Sequence, residues 1–210
     1  MLGALALLVW GGLAWSGSTL PIDDFEGGLR PGWEEKVFSG RTLYRVVAEA
    51  DGNRVLRAES RGSASGLVYR IAFDPHEFPI LTWRWKVEHV LARGDATRKD
   101  GDDYPARVYV VFPHWFPPKS RALNYIWANR LPKGRAVPNP FWGRNVMIAV
   151  ESGPEDTGRW IVERRDLVED YRRIFGADPP RAGAVAVMTD TDQTGEAAVA
   201  FYDDVRLETR

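Results

Sequence analysis

The sequence predicts an all-β fold with one short helix, its strands antiparallel and stacked as a sandwich. Three observations carry this. Short runs rich in β-branched and aromatic residues recur along the chain, each bounded by Gly, Pro, Asn or Asp. Within several runs the side chains alternate at period two, giving each strand one buried and one wetter face. Nine Trp accompany 20 Gly and 14 Pro in 210 residues, a composition of packed sheets and turns that excludes a disordered chain.

In chain order, strands are expected at Leu43–Ala48, Val55–Ser60, Gly66–Ile71, Ile80–Val87, Ala106–Phe112, Asn145–Glu151, Trp160–Arg165, Ala184–Thr189 and Ala197–Leu207. In Ile80–Val87, Trp83, Trp85 and Val87 face one way and Arg84 and Lys86 the other. In Ala106–Phe112, Val108, Val110 and Phe112 stand against Arg107, Tyr109 and Val111. Asp166–Phe175 breaks the pattern: Leu167, Tyr171, Ile174 and Phe175 fall at helical spacing. Asp166 stands where an N-cap would, Gly176 provides a stop, and Pro179-Pro180 prevents continuation. Two long loops remain, Glu88–Pro105 and Pro113–Arg144. Read as a short strand, Leu123–Trp127 inside the second would set Asn124 and Ile126 opposite to Tyr125 and Trp127.

Residues 1–20 stand apart. Leu2–Trp15 is almost purely apolar and no charged side chain occurs before Asp23. Its length suits a secretory signal better than a membrane span, with small residues following at Ser16-Gly17-Ser18, although a basic n-region is missing. A leader or N-terminal anchor over 1–20 and one sandwich domain over 21–210 are expected, in the periplasm or outside the cell. Membrane association would then come only through an uncleaved N-terminal segment. The 28 basic and 29 acidic residues leave a net charge of −1, which argues against a nucleic-acid partner. Zero Cys exclude disulfides, thiolate metal sites and a Cys nucleophile, and the three His are far apart. No Walker loop, GxGxxG or HExxH motif occurs.

Five segments support a family resemblance: LTWRWKV (Leu81–Val87), KDGDDYPARVYVVF (Lys99–Phe112), LNYIW (Leu123–Trp127), PNPF (Pro138–Phe141) and VMTDTDQTGE (Val187–Glu196). The chain from about Asp23 to Leu207 resembles the bacterial family called domain of unknown function 3047, which implies an exported protein and supplies no activity. The opening IDDFEGG (Ile22–Gly28) with Trp33, and the closing AFYDDVRL (Ala200–Leu207), are similar to the terminal strands of galactose-binding-like jelly rolls, a fold shared by many carbohydrate-binding modules. That likeness implies neighbouring first and last strands. It also implies a structural calcium, for which Asp23, Asp24, Asp203 and Asp204 are the metal candidates.

The strongest polar grouping is Arg84, Lys86 and Arg107, with Asp102 and Asp103 just ahead of Arg107. If the two strands are neighbours, these side chains form a groove floor in which the acids orient the basic groups, Tyr109 adds a polar aromatic surface and Trp127 stacks on a sugar ring. The structural alternative is a salt-bridge network on a solvated face. A ligand site would let Arg107→Ala spare the fold; a network would not. Asp190–Glu196 carries oxygen ligands at alternate positions like a calcium loop, yet lacks the EF-hand spacing and reads better as an Asx-rich hairpin turn. Glu151 and Glu163 would serve glycoside hydrolysis only if both entered one groove. The favoured function is therefore non-catalytic binding of a carbohydrate or other polar cell-envelope ligand. A glycan-cleaving enzyme and a protein-interaction domain are the alternatives.

Overall fold

The computed structural model describes residues 18–210, so most of the segment 1–20, expected as a leader or N-terminal anchor, lies outside the described residues. Thirteen strands and one helix follow in order: β1 (Thr19–Asp23), β2 (Trp33–Ser39), β3 (Leu43–Ala48), β4 (Arg54–Arg61), β5 (Ala64–Phe73), β6 (Ile80–Val87), β7 (Ala106–Phe112), β8 (Arg121–Ala128), β9 (Ala136–Pro138), β10 (Asn145–Ser152), β11 (Ile161–Asp166), α1 (Leu167–Phe175), β12 (Ala182–Asp190) and β13 (Ala197–Glu208). They form a six-stranded sheet of order β11-β6-β13-β4-β3, with β1 added on β13, and a seven-stranded sheet of order β2-β5-β12-β7-β8-β10-β9. The first and last strands pair antiparallel, as the terminal motifs imply.

Between the sheets lies the core that the alternation foresaw. Trp83, Trp85 and Val87 of β6 meet Val108 and Val110 of β7 and Tyr125 and Trp127 of β8, all fully or almost fully buried. Trp83 crosses Trp85 edge-on at 5.4 Å, and Trp85 lies 5.9 Å from Trp127. Hydroxyls also pin one sheet to the other. Tyr202 of β13 donates to the Met188 carbonyl of β12 at 2.6 Å, and the Tyr44 hydroxyl of β3 to the Ser65 carbonyl of β5 at 2.6 Å.

The helix α1 closes one end of the sandwich. The Asp166 carboxylate accepts from Glu169 N–H at 2.9 Å, and Gly176 ends the helix in the left-handed conformation at φ 65°. Tyr171 packs on Phe112 at 4.7 Å, which ties α1 to the end of β7. Among the described residues no helix is long and apolar enough to cross a membrane.

Not every pair is antiparallel. β8 and β10 run parallel, so the chain between them crosses over, laying β9 at the sheet edge. The β6–β7 loop, together with this crossover, covers the outer side of β8 and β10. There Ala96, Tyr104, Ile126, Ala128, Met147 and Ala149 form a second small core. Both faces of β8 are therefore dry, which is why its sequence shows so little polar alternation.

Candidate functional site

The outer face of the seven-stranded sheet carries one row of side chains in hydrogen-bonded register: Glu34, Val68, Ala186, Tyr109, Asn124, Met147 and Val137, one from each strand in turn. Beside it runs a second, through Gly66, Met188, Arg107 and Ile126. Over β5 and β12 the small residues Gly66, Ala184 and Ala186 alternate with Val68, Arg70 and Met188. Over β8 and β10 the β6–β7 loop and the crossover together form a roof. Tyr109 and Arg107 mark the step between the two halves.

Arg107 is 3% exposed and holds that step together. Its Nε donates to Asp190 Oδ1 at 2.7 Å and Nη2 bonds Asp190 Oδ2, making a two-pronged ion pair. Nη2 also donates to the Asp102 carbonyl at 2.7 Å, Nη1 donates to the Tyr109 hydroxyl at 3.2 Å, and the guanidinium lies 4.3 Å over the Tyr104 ring. Burial alone would lower the Arg107 pKa. The neighbouring Asp190, Tyr109, Asp102 and Tyr104 together outweigh it and hold the group above its ordinary value. Burial likewise pushes the Tyr109 phenol up to about 12, leaving it a protonated donor at neutral pH.

Asn139 ties the roof to this network. Its Nδ2 donates to Asp102 Oδ2 at 2.6 Å, while its Oδ1 accepts from Phe141 N–H and Trp142 N–H at 3.0 Å each. That turn fixes two exposed aromatics, Phe141 and Trp142, at the roof's rim. Three buried side chains on this face keep polar atoms without a partner in the protein: Asp102 Oδ1, both amide atoms of Asn124, and Asn145 Oδ1. Such groups are costly unless water or a ligand satisfies them.

The expected convergence of Arg84, Lys86 and Arg107 does not occur, because β6 and β7 belong to different sheets and these residues point outward on opposite sides of the sandwich. Arg84 is paired with Asp203 and Lys86 with Glu49, and the Trp160 ring lies 4.8 Å from the Arg84 guanidinium and 4.9 Å from the Lys86 ammonium. Trp127 faces the core and its Nε1 donates to the Gly153 carbonyl at 3.1 Å, so it offers no stacking surface. The outward neighbour on that strand is Asn124, which the alternation of Leu123–Trp127 had already set opposite to Trp127. Asp103 turns away from the basic groups. Its carboxylate accepts from Gln193 N–H and Thr194 N–H, anchoring the β12–β13 turn.

The four terminal aspartates do not fit a calcium ion. Asp23 accepts from Phe25 N–H, Arg30 N–H and the Trp33 indole, and Asp24 from Glu26 N–H. Asp203 accepts from Arg84, Asn53 and Asp204 N–H, and Asp204 sits 3.3 Å from Arg84. Oxygens facing N–H donors and guanidinium groups are not aimed at a cation that needs about 6–8 of them. Among the described residues, the acids whose oxygens gather within 4.8 Å are Asp103, Asp190 and Asp192. There the Arg107 fork and the turn amides already occupy Asp190 and Asp103.

A model of the family described as protein of unknown function DUF3047 matches residues 31–206. No curated protein matches the chain. Among solved structures, the family 11 carbohydrate-binding module of the cellulosomal cellulase Lic26A-Cel5E of Clostridium thermocellum is 11% identical, with 92% of this chain and 95% of that one covered and a TM-score of 0.52. A family 11 module from Clostridium thermocellum in complex with a β-1,3-1,4-mixed-linked tetrasaccharide is 12% identical, over 91% and 95% of the two chains, at a TM-score of 0.48. The xyloglucanase domain of NopAA, a type three effector from Sinorhizobium fredii, is 8% identical over 92% and 96%, also at 0.48. At this identity the first of these likenesses establishes a shared jelly-roll fold and nothing about ligand.

Proposed function

The chain belongs to the DUF3047 family, and because that family description carries no activity, we propose from the geometry that this protein binds a carbohydrate or other polar cell-envelope ligand on the outer face of its seven-stranded sheet. The observation that carries the reading is the Asn124 amide, next to Tyr109 in the row and fully buried under the roof with neither its oxygen nor its nitrogen bonded to protein, so a ligand would reach it from the Tyr109 side only where the roof's edge gives way. An amide offers a donor and an acceptor side by side, which suits neighbouring sugar hydroxyls. The exposed rings of Phe141 and Trp142 would cover the C–H face of a pyranose. Arg107 would hold Tyr109 in place, with its own charge neutralised by Asp190. The fold shared with a carbohydrate-binding module is compatible with this use.

Binding without hydrolysis is part of the proposal. On this face Asp190 is held by Arg107, Asp102 Oδ2 by Asn139, Asp103 by turn amides and Glu34 by Arg70, whereas a general acid must be free to reach the scissile oxygen. Glu151 and Glu163 both point into the interior, at 5% and 8% exposure, and Glu151 is paired with Lys133. The apolar run Leu2–Trp15 is the reason to place the protein in the periplasm or outside the cell.

Affinity electrophoresis and calorimetry against a panel of soluble β-glucans, mannans and peptidoglycan fragments test the reading through Asn124→Ala. The substitution removes no intramolecular hydrogen bond, so the urea midpoint should stay level or rise. Binding should weaken by about tenfold or more. A variant that binds as well as the parent, or a panel with no binder at all, overturns the assignment.

A further inference from the structure

The end of the sandwich opposite the β12–β13 turn carries features that sugar binding does not use. The hairpin between β7 and β8 ends in His114-Trp115-Phe116-Pro117-Pro118-Lys119, with Trp115 87% and Phe116 46% exposed. The tip is built and held in one shape. His114 N–H donates to Ser120 Oγ at 3.0 Å, Phe116 N–H to His114 Nδ1 at 3.0 Å, and Lys119 N–H to the Phe116 carbonyl at 2.9 Å. Two large rings are thus presented to solvent by a loop whose hydrogen bonds keep them there.

Behind the tip lies a depression of about 220 Å³, lined by His114, Lys119, Arg121, Arg144 and Tyr171 among others and by no acidic side chain. Arg121 bonds the Tyr171 hydroxyl, and among the described residues Lys119, Arg121 and Arg144 have no carboxylate partner. The net charge of −1 therefore hides a local positive excess. Acids do occur nearby on α1 and its flanks; Asp166, Asp170 and Asp178 are each paired with an arginine, while Glu169 in the first turn of α1 is exposed and unpaired among the described residues.

The third observation is where the first strand begins. Thr19 pairs with Glu208, Glu208 with Ile80, and Ile80 with Asp166 at the start of α1, whose Tyr171 meets Phe112 just before the tip. The apolar run Leu2–Trp15 thus precedes, in sequence, a strand that enters the sandwich at the end carrying Trp115. We propose that this end docks on an anionic phospholipid surface, with Trp115 and Phe116 entering the headgroup region and Lys119, Arg121 and Arg144 facing lipid phosphates. Trp and Phe favour that interface, and cations beside them supply the second signal that a stable peripheral contact needs. The outer sheet face carrying Asn124 would then stand roughly along the membrane normal, open to a polymer from the side.

The absence of Cys makes the test direct, since a single introduced thiol labels one place. Full-length Pro118→Cys, carrying an environment-sensitive fluorophore, should shift to the blue on vesicles of phosphatidylcholine mixed with phosphatidylglycerol, and little on phosphatidylcholine alone. Gln193→Cys, at the far turn, should not respond to either. Adding Trp115→Ser with Phe116→Ser, or Lys119→Glu with Arg144→Glu, should raise the lipid concentration for half-maximal shift by about tenfold or more. A response equal at both labels, equal on both lipids, or untouched by the added substitutions overturns the proposal.

Discussion

Arg107→Ala is expected to lower the unfolding free energy by about 3–5 kcal/mol at neutral pH, a large share of the about 5–15 kcal/mol available to a domain. The guanidinium is the sole cation bonded to Asp190, and its removal leaves that carboxylate buried and uncompensated. The Asp102 carbonyl and Tyr109 hydroxyl lose a donor as well. The pair itself is worth far less than its breakage costs, because two desolvated charges repay little more than the penalty of burying them. Arg107→Met combined with Asp190→Leu should accordingly recover most of the loss, a non-additivity readable in a double-mutant cycle from urea unfolding. A single variant within about 0.5 kcal/mol of the parent would sink this account. The result also reverses the expectation that Arg107→Ala spares the fold, so Asn124 and not Arg107 is the substitution that separates binding from stability.

The contrast between those two residues shows what the sequence makes legible. Alternation assigned the faces correctly: Arg84 and Lys86 outward, Arg107 and Tyr109 outward, Asn124 opposite to Trp127. Alternation does not say which strands are neighbours, and that is a non-local property. Asp102 and Asp103 invited pairing with Arg107 because they are close in sequence, whereas the carboxylate that takes it, Asp190, is 83 residues away. Choosing Trp127 as a stacking platform had a related cause. An aromatic in a long polar loop looks exposed until the loop proves to contain β8, dry on both sides. The helix, by contrast, was readable with its cap and stop because those signals are local. β2 and β9 escaped notice for the same physical reason in reverse. Trp33–Ser39 is a charged, solvent-facing edge strand and Ala136–Pro138 has three residues, so neither carries a hydrophobic period.

The second large effect lies at the other side of the core and is read through pH. Glu163 of β11 faces inward beside Trp83 and keeps Oε1 without a partner. Burial raises its pKa from the ordinary 4.5 to about 8, and the Glu151 charge adds to the rise against the opposing pull of Lys133 and Arg165. The folded protein therefore holds this proton between about pH 4.5 and 8 while the unfolded chain has released it. Over that window the folded state binds more protons, so stability falls with rising pH, by about 1.4 kcal/mol per unit and on the order of 5 kcal/mol in all. Glu163→Gln keeps the shape and cannot ionise. The variant should match the parent near pH 5 and exceed it at pH 9, flattening the difference curve measured by urea midpoints. Parallel profiles for the two proteins would mean that Glu163 is ionised in the fold. The neutral acid between indoles would then have to give way to a carboxylate satisfied by Lys133 together with Glu151. Either outcome bears on the proposal of binding without hydrolysis, because an acid held neutral by burial is a proton donor only to what can reach it, and Trp83 and Trp85 fill that side of the interior.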